Sequence, residues 1–216
     1  MALLDNIINN PIEGKKVFDS GSYGIIYDNL DGTLTKVIRF NTVDPYSIIK
    51  IKELELNNFY KVFDILTFNN GEKEYLRAYK MIVIKKDNTK LLNSNMDYVI
   101  NNIKIIMNSL KELSDNYIIS YDLHNRNLII NNEGMTVIDC DLYKHDTTYT
   151  KESIYRHNID ELKRTIFEEL HEEMRKDIVL SLFKKHKLIE LFKENDLDNI
   201  LDLVSSSNSI REYIKK

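Results

Sequence analysis

The sequence predicts an α+β protein in which a strand-rich N-terminal part precedes a mainly helical C-terminal part. Before residue 85, short apolar runs alternate with turn residues, which is typical of strands. After residue 94, apolar residues recur at helical spacing. The polar stretch 85–90 separates the two patterns, so we expect two lobes, residues 1–84 and 85–216.

The N-terminal part is predicted to form a five-stranded sheet with one helix. Turn residues at 29–32 and 69–72 separate pairs of strands. Asp44 followed by Pro45 is typical of a helix start, because proline fits the first helical position, and the helix is expected to extend to about Tyr60. The predicted strands are 16–20, 25–30, 34–40, 62–67 and 75–84.

The C-terminal part is predicted to be mainly helical. A segment that begins at Asn95 or Asp97 and ends at Leu113 places its apolar side chains on one face, as an amphipathic helix does. A small hairpin is expected at 128–138, with its turn before Gly134. The remaining predicted elements are a helix at 159–174 and two or three short amphipathic helices after residue 178.

Composition excludes several classes of protein. The 30 basic and 34 acidic side chains give a net charge of -4, without the basic excess of a nucleic-acid binder. The single cysteine, Cys140, cannot form an internal disulfide and favours a reducing compartment. No stretch is apolar and long enough to span a membrane or to resemble a signal peptide. We therefore expect an intracellular globular protein with no nucleic-acid partner.

Two features of the predicted sheet could contact a phosphate group. Gly21 and Gly24 lie in a turn whose backbone N–H groups can approach phosphate oxygens without an intervening Cβ. Lys36 points to the same side of its strand as Leu34 and Ile38, where an ammonium group needs a charged partner. Taken singly, the two features also fit an ordinary hairpin turn and a lysine at a sheet edge.

A carboxylate on the predicted helix could supply the partner of Lys36. Glu53 shares a helix face with apolar residues such as Ile49, and Glu55 shares another with Ile48. We prefer Glu53, although a solvated helix face is the structural alternative for both glutamates.

The strongest pattern lies between residues 117 and 141. An apolar strand leads into Asp122, Asn127 closes the polar loop that follows, and a later apolar strand leads into Asp139. Mg²⁺ takes oxygen ligands and keeps its phosphate partners, so an amide and one carboxylate are a suitable protein contribution. The other carboxylate is then free to orient a hydroxyl or accept its proton. Turn-forming Asp and Asn residues are the structural alternative.

These motifs, in this order and spacing, resemble the protein kinase superfamily over roughly residues 15 to 172. The resemblance implies a bilobal kinase-like fold, with a reduced, mainly helical C-lobe, and implies ATP and Mg²⁺ as cofactors. Asp160 is similar to the acid at the start of the central C-lobe helix.

The resemblance also implies roles for particular residues. The implied catalytic residues are Asp122, Lys36 and Glu53. The implied metal ligands are Asn127 and Asp139. The implied ATP-binding residues are Ser20, Gly21, Ser22, Tyr23, Gly24, Ile26, Lys36 and Met81.

The sequence also departs from the kinase pattern. Asp19 stands where the first glycine of the loop is expected, and Ser120 and Tyr121 replace the histidine and arginine before the catalytic aspartate. About twenty residues separate Asp139 from Asp160, so the usual activation segment is absent. This reduced plan is similar to minimal kinase effectors that bacteria deliver into host cells. We therefore expect a cytoplasmic protein, or one secreted into a host cell without a classical signal peptide.

Three functions fit these observations. The first is a serine/threonine protein kinase that takes ATP and either a protein substrate or an activating protein partner. The second is a small-molecule kinase, because residues 122–127 are also similar to the loop of aminoglycoside and choline kinases. The third is a pseudokinase that binds a partner, which the unusual Asp19 and Asp141 favour.

Overall fold

The computed structural model describes residues 17–20, 24–39, 43, 45–69, 71–177, 180 and 185–216, with only the backbone for 17–20. The chain divides into two compact units. Unit 1 comprises Met1–Glu55 and Tyr60–Ile84, and unit 2 comprises Leu56–Phe59 and Lys85–Lys216. A sheet in unit 1 followed by a mostly helical unit 2 confirms the predicted α+β class.

Unit 1 is built on an antiparallel sheet with the strand order β1-β2-β3-β5-β4. Four of its strands, β2 to β5, carry described side chains, and β1 adds a four-residue edge strand with a shifted register. The strands are β1 Val17–Ser20, β2 Gly24–Asp28, β3 Thr33–Ile38, β4 Val62–Asn69 and β5 Glu74–Ile82.

One helix, α1 (Pro45–Leu54), packs on β4 and β5 of unit 1. It buries Ile48 and Ile51. The prediction that this helix extends to about Tyr60 is wrong, since it ends at Leu54 and Glu55 takes a left-handed φ of 48°.

Residues 56–59 belong to unit 2, and their hydrogen bonds explain why α1 stops. The carbonyl of Asn57 accepts from the Ser109 hydroxyl at 2.7 Å, and the carbonyl of Asn58 accepts from the Val137 amide at 2.8 Å. Asn58 also has a left-handed φ of 58°, which a continuing helix could not include, and these bonds hold the segment in its non-helical conformation. Tertiary hydrogen bonds therefore override the helical pattern of the sequence.

Unit 2 is organised around two long helices that pack on each other. Asn95 caps the first of them by accepting from the Asp97 amide, and Thr150 caps the second by accepting from the Ser153 amide. The helices are α2 Met96–Asp115, α3 Lys151–Arg175, α4 Lys185–Glu194, α5 Leu197–Val204 and α6 Ile210–Lys215, with 3₁₀ turns at Leu91–Asn93 and Asn125–Asn127.

The long helix α3 begins earlier than the sequence analysis predicts. The predicted start is residue 159, whereas the helix starts at Lys151, directly after its Thr150 cap. Within the parts of the chain that the structure describes, no helix is long and apolar enough to cross a membrane.

Two small antiparallel pairs of strands complete unit 2. The predicted hairpin is confirmed, with β7 at Leu128–Asn131 and β8 at Gly134–Val137. The other pair joins β6 (Ile118–Ile119) to β9 (Lys144–His145), and the sequence analysis did not predict β9.

The strands β2 and β3 approach each other closely at Gly24, so a larger side chain at this residue should destabilise the sheet. A Cβ added at Gly24 would lie 2.6 Å from the Val37 carbonyl oxygen, which is backbone and cannot swing away. We expect Gly24→Ala to lower the free energy of unfolding by about 1 to 3 kcal/mol, measured by urea denaturation.

Gly32 offers a comparison for that measurement. It has a φ of 84° with no atom within 4 Å of an added Cβ, and asparagine tolerates this conformation. We expect Gly32→Asn to change stability by less than about 0.5 kcal/mol. Equal losses for the two variants would contradict the steric argument at Gly24.

Candidate functional site

Four of the candidate nucleotide-binding residues lie on one face of the unit 1 sheet. Ile26 is the cross-strand partner of Lys36, and Gly24 is the partner of Ile38 on the same face. Leu34, two residues from Lys36, pairs with Met81 on β5. Cross-strand partners point to the same side of a sheet, and so do residues two apart on a strand. Gly24, Ile26, Lys36 and Met81 therefore share one surface.

Lys36 is buried on that surface. It is only 4% exposed, and its Cε lies 3.4 Å from the position of a Cβ on Gly24. A buried ammonium group requires negative charge nearby, so the side chain is suited to an anionic partner. The smallness of Gly24 leaves room beside it.

The expected pairing of Glu53 with Lys36 is not among the ion pairs within the described ranges of the chain. Glu53 is exposed, and its carboxylate lies 2.6 Å from the Lys50 ammonium group one turn earlier. The apolar partners expected around Glu53 included residues beyond Leu54, where the helix has already ended. Glu55 is also exposed and lies outside the helix.

The glycine-rich turn lies mostly outside the described residues. Gly21, Ser22 and Tyr23 are not described, and Ser20 is described only through its backbone as the last residue of β1. Their expected contact with phosphate groups stays a prediction.

In unit 2, Asp122 and Asn127 are in direct contact. The Asn127 amide Nδ2 donates to the Asp122 carbonyl at 2.9 Å and to its carboxylate Oδ2 at 3.2 Å. The 3₁₀ turn at Asn125–Asn127 folds the loop back and makes this contact possible. Since the Nδ2 group is occupied, the carbonyl oxygen Oδ1 of Asn127 is turned away from Asp122 and is available as a hard oxygen ligand.

Asp139 follows the strand β8 and is joined to the same loop through its neighbour. The Ile138 amide donates to the Asn127 carbonyl at 2.8 Å. Asp139 is the next residue, so this bond holds its backbone close to Asn127. Asp139 has a φ of 56°, a left-handed conformation that aspartate tolerates better than most residues and that is often kept at functional positions.

The expected metal ligands, Asn127 and Asp139, are an amide and a carboxylate, and their role stays a prediction. In these ranges, no three His, Cys, Asp or Glu side chains cluster closely enough to hold a metal ion by themselves. A site of the Asn127 and Asp139 type depends on phosphate oxygens for its remaining ligands, which is usual for Mg²⁺.

His124 is a neighbour of Asp122 that the sequence analysis overlooked. Its Nε2 atom lies 3.4 Å from Asp122 Oδ1, on the opposite carboxylate oxygen from Asn127. The two side chains therefore flank the carboxylate and limit its rotation. The signal was present in the sequence, because His124 lies two residues after Asp122 within the motif itself.

Asn158 on α3 anchors the strand that leads into Asp122. Its Oδ1 accepts from the Ser120 amide at 2.8 Å and from the Ser120 hydroxyl at 2.9 Å. Its Nδ2 donates to the Ile118 carbonyl and the Ser114 hydroxyl, both at 3.0 Å. With 0% exposure, Asn158 is a fully satisfied buried amide that fixes the backbone immediately before Asp122.

A second bond from α3 fixes the candidate catalytic loop, residues 122–127, on the other side of Asp122. The Thr165 hydroxyl donates to the Leu123 carbonyl at 2.9 Å, and Arg164 Nη2 reaches the same carbonyl at 3.4 Å. Asp122 is thus held between two backbone segments that are both tied to α3.

Asp160 does not have the place that the sequence analysis gave it. It lies nine residues after the first residue of α3, whereas it was expected at the start of that helix. The hydrogen bonds from α3 to Ser120 are made by Asn158, two residues before Asp160. A signal existed in the sequence, since Asn158 and Thr165 occupy the buried stripe of α3 together with Ile154 and Leu162.

Burial also affects the carboxylate of Glu169, which lies beside Asn125 of the loop 122–127. It raises the pKa of Glu169, while Lys86 opposes the shift. The usual pKa of a glutamate is 4.5, and well below that pH the Glu169 carboxyl is protonated in both the folded and the unfolded chain. As the pH rises through that value, the unfolded chain ionises first, so the contribution of Glu169 to stability falls.

Glu169→Gln should therefore stabilise the protein relative to wild type at pH 7 more than at pH 4. Urea unfolding of both proteins at the two pH values measures this difference. A larger benefit of Glu169→Gln at pH 4 than at pH 7 would contradict the sign.

Solved structures resemble this arrangement of elements. The PK-1 kinase of Cydia pomonella granulovirus matches with a TM-score of 0.53 and 15% identity over 100% of this chain and 98% of its own. The chain has a protein-kinase-like fold. A Legionella pneumophila kinase bound to IP6 matches less well, with a TM-score of 0.46, 17% identity and coverage of 89% of this chain and 81% of its own. No family model and no curated protein matches the sequence.

The kinase-like fold of this chain has a short connection after its candidate metal ligand. Only residues 140–150 lie between Asp139 and the first residue of α3, and they include the two-residue strand β9. The β6 partner of β9 immediately precedes Ser120. The short connection is therefore fixed to the same backbone that Asn158 anchors.

Proposed function

We propose that the chain is an ATP- and Mg²⁺-dependent protein kinase that transfers the γ-phosphate to a serine or threonine hydroxyl of a protein. The observation that carries this proposal is the Asp122–Asn127 contact, in which the amide orients the carboxylate and keeps its own carbonyl oxygen for a cation. The kinase-like fold supports the same reaction class.

In this proposal each residue has a defined role, and Asn127 has two. Asp122 orients the acceptor hydroxyl and accepts its proton, and His124 and Asn127 hold the carboxylate in place. Asn127 Oδ1 and the Asp139 carboxylate hold Mg²⁺, which, when bound, neutralises the charge of the phosphate groups. Lys36 contacts phosphate oxygens, while Gly24, Ile26 and Met81 offer a mostly apolar surface to the rest of the nucleotide.

The proposal predicts that ATP with Mg²⁺ raises the melting temperature. Ligand at about one hundred times its Kd stabilises a native protein by about 2.7 kcal/mol, which corresponds to about 5–10 °C for a chain of this size. Lys36→Met should remove most of this shift, because it deletes the phosphate contact. Chelation of Mg²⁺ with EDTA should reduce the shift for the wild type.

Lys80→Met is the matched control for Lys36→Met. Lys80 lies on the neighbouring strand β5 and pairs with Thr35, so it points to the opposite face of the sheet. Its variant should keep the full shift. If millimolar ATP with Mg²⁺ leaves the wild-type melting temperature unchanged, the partner-binding pseudokinase becomes the better description.

A small-molecule acceptor is the second candidate function, and a cavity in unit 2 favours it. The cavity has a volume of about 470 Å³ and is lined by Asn125 of the catalytic loop together with α3 residues such as His171 and Glu172. This volume lies in the range of small-ligand sites. Measuring ATP consumption with hydroxylated metabolites and with generic protein substrates would separate the two acceptor classes.

A further inference from the structure

A second cavity in unit 2 lies between the helices α3 and α4 and has no part in the proposed phosphotransfer. Its volume is about 400 Å³. The floor is apolar, and the rim carries three basic side chains. The floor consists of Phe167, Ile189 and Phe192, and the basic residues of the rim are Lys163, Arg164 and Lys193.

The floor of this groove exposes apolar surface in an ordered setting. The rings of Phe167 and Phe192 pack against each other with centroids 5.5 Å apart, which fixes their positions. Ile189, on the first half of α4, is 40% exposed. A fixed apolar floor surrounded by polar residues is typical of a surface that binds another molecule.

The rim of the groove is positively charged although the whole chain has a net charge of -4. Neither Lys163 nor Lys193 has an ion-pair partner in the part of the chain that the structure describes. Arg164 pairs with Glu161, and Asp160 is the one carboxylate in the lining. The ammonium groups of the two lysines are therefore available to a negatively charged ligand.

We infer that this groove is a docking site for an acidic segment of another protein that carries two apolar anchor side chains. The anchors would cover Ile189 and the paired phenylalanines, and Asp or Glu residues beside them would meet Lys163 and Lys193. An inorganic or sugar phosphate would satisfy the charge but would leave the apolar floor exposed to water. Apolar burial and opposite charge together favour the acidic segment.

The location of the groove connects it to the catalytic loop. Arg164, on its rim, reaches the Leu123 carbonyl at 3.4 Å, next to Asp122. A segment bound in the groove therefore contacts a side chain that touches the catalytic loop, which is a suitable position for a substrate or an activator of the proposed kinase.

Peptide binding to the full chain tests the inference without measuring catalysis. The probe is a fluorescent acidic peptide of about twelve residues with two leucine anchors, spaced to lie on one helix face. Two control peptides replace either its acidic residues by lysine or its leucines by serine. Fluorescence anisotropy should give a Kd below about 1 mM for the probe and a Kd at least about tenfold higher for both control peptides.

Matched protein variants locate the binding. The double variant Lys163→Glu with Lys193→Glu should raise the Kd of the probe about tenfold, and so should the single variant Ile189→Ser. The controls are Lys104→Glu and Ile105→Ser on α2, where Lys104 is exposed and Ile105 is 38% exposed, close to the 40% of Ile189. These controls should bind the probe like the wild type.

Four results would overturn the inference. The first is no binding of the acidic probe up to about 1 mM. The second is equal binding of the lysine peptide, and the third is unchanged binding by the groove variants. Competition by phosphate alone, with no effect of Ile189→Ser, would show an anion site and would also overturn it. Because none of these measurements uses ATP, their outcome is separate from that of the proposed kinase activity.

Discussion

Asp122→Asn should lower phosphotransfer by about a hundredfold to ten-thousandfold, the range for loss of a positioned acid–base group. Asparagine keeps the size of the side chain, and its oxygen can still accept from Asn127 Nδ2. The variant lacks the carboxylate that orients the acceptor hydroxyl and takes its proton. Labelled ATP with Mg²⁺ and a generic protein substrate, or the chain itself as acceptor, gives the rate.

The control for this prediction is the same substitution at an exposed aspartate of unit 2. Asp115 at the end of α2 pairs with Lys111 on the surface, and Asp115→Asn should leave the rate unchanged. Thermal melting of Asp122→Asn should stay close to that of the wild type, which would separate lost chemistry from lost folding. If Asp122→Asn labels its substrate at the wild-type rate, the role assigned to Asp122 is refuted.

Asn158→Leu should cause the largest loss of stability among these predictions. The leucine leaves the Ser120 amide and the Ile118 carbonyl without their partner inside the protein, and each unsatisfied buried group costs about 1 to 3 kcal/mol. A total of about 2–5 kcal/mol corresponds to a fall in melting temperature of about 5–15 °C at this chain length. Differential scanning calorimetry measures it.

Asn101→Leu on α2 makes the same chemical change at an exposed position and should shift the melting temperature little. Asn158→Asp should be intermediate, because a carboxylate can still accept from the Ser120 amide and hydroxyl but has no donor for the Ile118 carbonyl. If Asn158→Leu melts like Asn101→Leu, the hydrogen-bond network of Asn158 does not stabilise the candidate catalytic loop.

Local chemistry made much of the fold predictable. The hairpin of β7 and β8 followed from a turn ending in Gly134, and the strands β2 and β3 followed from the turn before Thr33. The end of α1 could not be predicted this way, because hydrogen bonds to Ser109 and Val137 decide it. These partners lie about fifty and eighty residues further along the chain.

In the candidate site, too, features set by neighbouring residues were predictable from the sequence, and features set by distant contacts were not. Asp122 and Asn127 are five residues apart in one polar loop, and their spacing predicted that they belong to one site, although not the direct hydrogen bond between them. Glu53 was chosen on a helix face that included positions beyond the actual end of α1, and it pairs with Lys50. Asn158 acts on a residue 38 positions away, and only its polar side chain within a buried stripe marked it.

The four residues 56–59 have a consequence for dissecting the protein. A fragment ending at residue 84 would contain Asn57 and Asn58 but would lack Ser109, Asn102 and Val137, their hydrogen-bond partners. The complementary fragment from residue 85 would lack the carbonyls to which Ser109 and Val137 donate, and the Asn58 side-chain amide that donates to Asn102. The fragment from residue 85 is therefore an incomplete unit 2, so truncation at the apparent boundary should destabilise it, whereas grafting residues 56–59 onto it should restore its missing hydrogen-bond partners.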